Sequence, residues 1–161
     1  MRRQYGEVYF YRAFGLTLGS NRLVQGLQAA PAGPPDVQLD FRRLWPPGDD
    51  WPGRESDGWV RRDWPDTPQT EYFGWWALAA PAGEYHRLAY GAGEGRTEYL
   101  LSPGATHIAI IHNQPECPEG AVSLLLGQVM GCALRARGLT CLHASVPVSY
   151  THLTLPTILR V

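Results

Sequence analysis

The chain has 161 residues, 44% of them hydrophobic and 11% aromatic, with 14 basic side chains against 15 acidic ones. That length fits one ordinary domain, and so much apolar surface excludes a globally disordered tail. Near-balanced charge argues against a nucleic-acid module, which needs a basic footprint, and against a polybasic membrane anchor. Every basic residue is arginine and none is lysine. The chain therefore holds neither a Schiff-base lysine nor a P-loop lysine. No apolar run reaches the ~18 residues of a transmembrane helix. Met1-Arg2-Arg3 leads into Gln4-Tyr5-Gly6-Glu7 and lacks the apolar core of a signal peptide. Cys117, Cys132 and Cys141 lack metal-type spacing and read as reduced thiols of a cytoplasmic protein, with no metal site.

In chain order, Glu7–Leu18 is rich in Tyr, Phe and Val and is predicted as one strand, open to a break at Gly15. Val37–Phe41 alternates, with Val37, Leu39 and Phe41 on one face, which is the pattern of a half-buried strand. All six tryptophans fall between Trp45 and Trp76, interspersed with prolines that forbid a helix. An irregular excursion is expected there, ending in a strand near Tyr72–Ala79. Two readings stand for Trp45, Trp51, Trp59 and Trp64. They form an aromatic binding surface, or they anchor a long loop onto a sheet. Tyr85–Tyr90, Thr97–Leu101 and Thr106–His112, separated by Gly91–Gly95 and Ser102-Pro103-Gly104, predict an antiparallel meander. Gly91–Gly95 precedes a strand, whereas a phosphate cradle needs a helix N-terminus after it.

Pro118–Arg137 carries Val122, Leu125, Leu126, Val129, Ala133 and Ala136 at helical spacing, with Gly138 placed as a left-handed cap. Gly127 and Gly131, four apart, predict a smooth helix side that a strand backbone approaches closely. Leu139–Val146 then reads as a strand leaving the helix. Cys141 and His143 share a strand face but supply only two ligands, short of a zinc site.

The end of the sequence has a different character. Pro147–Thr157, PVSYTHLTLPT, resembles the translation of a transposase mosaic-end sequencing adapter in one continuous frame. On that reading residues 147–161 are a non-native tail, to be set aside in reasoning about the fold, and the natural protein continues beyond Val146.

Arg137–Ser145, RGLTCLHAS, follows the predicted helix. A helix, then R-G-L, then L-H-A-S on a strand, resembles the approach to the P-loop in HPr-serine-kinase-like proteins. These are relatives of the HPr kinase/phosphorylase, with a core similar to phosphoenolpyruvate carboxykinase. Tyr11-Arg12-Ala13-Phe14-Gly15-Leu16 looks like that family's opening strand, and Tyr85–His112, with its L-S-P-G turn, looks like its meander. The resemblance implies a bacterial, cytoplasmic, ATP-dependent serine kinase that uses ATP and Mg2+ and acts on a protein or peptide. It places His143 near the transferred phosphate in a polar or acid/base role. A histidine hydrogen-bonded to backbone at a strand start is the competing account. The family's P-loop, metal-binding acids and catalytic aspartate would all lie after Val146, so the fragment itself is expected to hold no cofactor and to be inactive.

The expected architecture is α+β: an antiparallel sheet covered by one main helix over residues 118–137, with a Trp/Pro-rich irregular excursion. Residues 1–138 form the N-terminal domain, and 139–146 form the first strand of a truncated kinase core. Two alternatives stand beside the kinase reading: a non-catalytic peptide or protein recognition domain, and a structural β domain. No nucleic-acid or membrane partner is expected.

Overall fold

The computed structural model describes residues 8–46, 51–62, 72–114, 117, 119–141, 148–149 and 152–153. Strands β1 (Tyr9–Ala13) and β2 (Leu16–Ser20) pair antiparallel with Ala13 opposite Leu16. The two residues between them, Phe14 and Gly15, have φ of 56° and 75°, the left-handed pair of a two-residue hairpin turn whose twist matches that of its strands. The single strand expected over Glu7–Leu18 is therefore a hairpin, because a left-handed Phe-Gly pair reverses the chain instead of kinking it. β3 (Gln28–Ala29) adds to the far side of β1.

β4 (Val37–Arg42) has the expected alternation, with Val37 and Leu39 fully buried. β5 (Val60–Arg62) lies within the excursion. β6 (Phe73–Ala80), β7 (Gly83–Tyr90), β8 (Thr97–Leu101) and β9 (His107–His112) follow, and the last three form the expected meander. The nine strands make one sheet in the order β3-β1-β2-β4-β9-β8-β7-β6-β5. The fold is α+β and the sheet is antiparallel except at β4, which pairs in parallel with both β2 and β9.

One continuous helix covers one face. It comprises α1 (Glu119–Leu124), a π-helical turn (Leu125–Val129) and α2 (Met130–Ala136). Ala121, Leu125, Val129, Met130, Cys132 and Ala133 are its buried residues. All but Ala121 share one core with Leu18, Leu39, Leu88, Tyr99, Leu101, Ile108 and Ile110 of the sheet. Truncating one such leucine to alanine costs about 2–5 kcal/mol. The helix is also fixed by polar contacts at both ends. The buried Tyr99 hydroxyl donates to the Ala121 carbonyl at 2.7 Å. Arg137 Nη1 donates to the carbonyls of Asp36 and Gly104 at 3.2 and 3.3 Å. Gly138, with φ of 76°, ends the helix as expected. Its N–H bonds the Arg135 carbonyl, and that of Leu139 bonds the Leu134 carbonyl, both at 2.9 Å, which is the Schellman arrangement.

The expected close approach at Gly127 and Gly131 is not found. A Cβ at either position would meet nothing within 4 Å. The buried face of the helix is turned away from them, so their spacing is no record of a neighbouring backbone. Beyond Gly138, Leu139–Cys141 are exposed and irregular, and residues 142–146 of the expected next strand lie outside the described residues.

The second face is closed by the excursion. Leu100, Ala109 and Ile111 form a smaller core against which Trp45, Trp51 and Trp59 pack, half-buried. Near the C-terminus Val148–Ser149 pairs with His152–Leu153 in a ladder separate from the main sheet.

Phe14 occupies a left-handed position that suits Asn, and its side chain is 47% exposed, so little packing depends on it. Phe14→Asn is expected to raise stability by about 1 kcal/mol, read as a higher urea midpoint; an unchanged or lower midpoint would contradict the turn assignment.

Candidate functional site

The excursion meets the sheet at a single buried charge. Glu98, the second residue of β8, is 3% exposed and is flanked in register by Ala89 of β7 and Ile111 of β9. Its carboxylate accepts from Arg87 Nε at 2.7 Å and Arg96 Nε at 3.2 Å, and also from Arg54 Nη2. Arg87 comes from the neighbouring strand, Arg96 from the residue just before β8, and Arg54 from the excursion. Burial pushes the Glu98 carboxyl up. The Arg87 hydrogen bond and the charges of Arg87, Arg54 and Arg96 outweigh it and hold the group below its ordinary value.

Arg87 makes two further kinds of contact. Its Nη1 donates to the Arg54 carbonyl at 3.2 Å, which ties the excursion's backbone to the sheet. Its guanidinium lies 5.4 Å from the Trp45 ring centre and 5.0 Å from that of Trp76, and Arg61 stands 5.7 Å from the Trp76 centre. Arg61, Trp76, Arg87 and Trp45 thus alternate cation and ring, each pair within cation–π range. Trp76 reaches its place by lying over Gly74, where an added Cβ would overlap the indole. Trp45 Nε1 donates to the Pro52 carbonyl and Trp59 Nε1 to that of Gly53, both at 3.0 Å. Trp51 sits against Tyr85 with ring centres 6.1 Å apart.

The structure thus gathers Trp45, Trp51 and Trp59 on one face of the sheet, each half-buried, with the indole N–H of Trp45 and of Trp59 bonded to the excursion's own backbone. Trp64 and His143 lie outside the described residues. Sequence reading missed Arg54, Arg87, Arg96 and Glu98. The available signal was the one charged residue inside the predicted strand Thr97–Leu101, with arginines on the adjoining strand and turn. Converting it into a site requires the β7–β8 register.

Burial also shifts other titratable groups. Burial lowers the pKa of His112. A bond from its Nδ1 to the Gln114 carbonyl opposes this, and Arg22 and Arg43 add to it. Burial lifts the Cys132 thiol to about 11, so it stays protonated at neutral pH. Among the described residues no group of His, Cys, Asp and Glu is arranged to hold a metal ion, and no helix is long and apolar enough to cross a membrane. Compared with protein-family models, curated proteins and solved structures, the chain matches none.

Glu98 makes stability depend on pH with a defined sign. Because its folded pKa is depressed, its contribution is complete above the unfolded carboxylate value of about 4.3 and is lost as pH falls through the lower folded value. Glu98→Gln is expected to cost about 3 kcal/mol at pH 7, the lower end for breaking a buried ion pair, since Arg54 and Arg96 retain access to water. The variant should also lose part of the acid-induced destabilisation. Urea midpoints taken from pH 7 down to about pH 3 check both; matching curves for the two proteins would refute the role given to Glu98.

Proposed function

We propose that the chain is the N-terminal portion of an HPr-kinase-like, ATP-dependent serine kinase, the part that precedes the phosphoryl-transfer core. The observation that carries this reading is the order of features at its C-terminal end. The covering helix leaves through Arg137-Gly138-Leu139 in a Schellman turn, and the sequence then runs into Leu142-His143-Ala144-Ser145. The meander β7–β8–β9 supports it in type and order, whereas Tyr11–Leu16 spans the β1–β2 hairpin turn instead of forming one opening strand.

On this reading the chain's role in the kinase is architectural or recognitional. Phosphoryl transfer rests on positioning and electrostatic stabilisation of the transferred group. The lysine and metal-binding acids that do this, with ATP and Mg2+, would belong to sequence after Val146. His143 would stand beside the transferred phosphate, where an imidazole can donate or accept a proton. The substrate would be a protein or peptide and the setting the bacterial cytoplasm. Residues 147–161 are assigned to adapter read-through; the described residues there, Val148–Ser149 and His152–Leu153, pair with each other in a ladder of their own. The tryptophan–arginine face favours a compatible second role for the chain itself, as a non-catalytic recognition domain of that kinase.

Sequencing the locus from genomic DNA tests the proposal. A G-x-x-x-x-G-K-[ST] motif is expected within about 20 residues after His143, and the genomic codons are expected to diverge from the string at Pro147–Thr157. A gene that continues through that string, or one that lacks the motif, would overturn the corresponding part.

A further inference from the structure

The charges around Glu98 do not balance. Three guanidiniums converge on one carboxylate, which leaves a surplus of two positive charges. No second carboxylate among the described residues pairs with Arg54, Arg87 or Arg96. The cluster is also only partly open to water. The Glu98 side chain is 4% exposed and that of Arg87 12%, while those of Arg96 and Arg54 are 31% and 49% exposed.

Each arginine uses only part of its donor set. Arg96 bonds Glu98 through Nε, which leaves Nη1 and Nη2 without a partner among the described residues. Arg54 uses Nη2, which leaves Nε and Nη1 likewise. Arg87 is locked between two indoles and holds Glu98 through Nε, so it fixes the floor of the cluster. Free guanidinium edges, a rigid base and a local surplus of two charges are what a doubly charged oxyanion needs. Arginine forks match phosphate oxygens in pairs, and a phosphate group carries about −1.5 to −2 charge near pH 7.

We infer that Arg54, Arg96 and Arg87, organised by Glu98, form a binding site for a phosphate dianion, either free phosphate or a phosphate monoester. Glu98 acts as the positioning group. It spaces the guanidiniums, and the incoming anion completes the neutralisation that one carboxylate leaves unfinished. The site lies on the sheet face opposite the helix. It stands whether or not the chain continues into a kinase core.

The test uses the whole chain, titrated by calorimetry with inorganic phosphate and, separately, with O-phosphoserine, against sodium chloride of equal ionic strength. Saturable binding of phosphate but not chloride is expected, with the Arg54 and Arg96 Nε resonances shifting along the same isotherm. Tighter binding of phosphoserine would identify a monoester as the ligand, and equal binding free phosphate; either supports the site. The double variant Arg54→Ala/Arg96→Ala should weaken binding by about tenfold or more, while Arg12→Ala, at an exposed position of β1 outside the cluster, should not. If the double variant fails to fold, the Nε shifts in the unaltered protein decide alone. Absence of saturable binding, unmoved Arg54 and Arg96 resonances, or full affinity in a folded double variant would each overturn the inference.

Discussion

A carboxylate inside a sheet is the constraint on which the second face of this protein depends. Glu98 cannot remain charged in a buried strand unless cations come to it, and the excursion supplies one of the three that do. Arg54 meets that need and brings the excursion with it. Once Arg54 is in place, its carbonyl meets Arg87, Arg87 fills the gap between Trp45 and Trp76, and the tryptophans cover Leu100, Ala109 and Ile111. A network of this kind adds little net stability over an apolar packing of equal volume. Its effect is on placement. Any other docking of the excursion leaves a buried charge without all its partners, and that cost falls on the alternatives alone.

The two faces of the sheet are therefore closed by different physics. On one side a helix contributes a stripe of apolar side chains, fastened at its ends by Tyr99 and Arg137. On the other, segments without helical propensity, broken by proline, are held by ion pairs and ring stacking. Strands between the two layers are covered on both sides. β8 is buried along its whole length and β9 at every position after His107, which is why Ile108–Ile111 reads as a continuous apolar run with no alternation. β4 sits beside β9 and follows a long connection from β2, long enough to return the chain in the same direction, and so it can pair in parallel on both sides.

What was legible in the sequence was set by local rules. The alternation in Val37–Phe41, the turn residues at Gly91–Gly95 and Ser102–Gly104 and the Gly138 cap all act over a few residues, and the structure realises each; of the helical stripe it buries Leu125, Val129 and Ala133, half-buries Val122 and Leu126, and leaves Ala136 exposed. What was illegible depended on long-range pairing or on a residue used against its preference. Phe-Gly does not announce a hairpin turn as Asn-Gly would, so two strands looked like one. The parallel partners of β4 lie far away in sequence. Gly127 and Gly131 have the spacing of a packing groove and face open space, because the spacing fixes which glycines share a side but not whether that side meets anything. The tryptophans gave their own layer away by composition. The arginines that organise them did not, since a charged residue in a strand reads as solvent-facing until its neighbours in register are known.

The all-arginine composition, whatever its origin, has a structural consequence at Arg87. The position needs a flat cation that can lie between two indoles while donating in its own plane to Glu98 through Nε and to the Arg54 carbonyl through Nη1. A lysine ammonium offers a point charge on a flexible stem. It can satisfy the carboxylate or approach one ring, but it has no plane to stack on both rings while bonding along its edge. Arginine is therefore required at this node by geometry. An absence that began as the exclusion of two lysine chemistries becomes, at Arg87, a positive requirement of the fold.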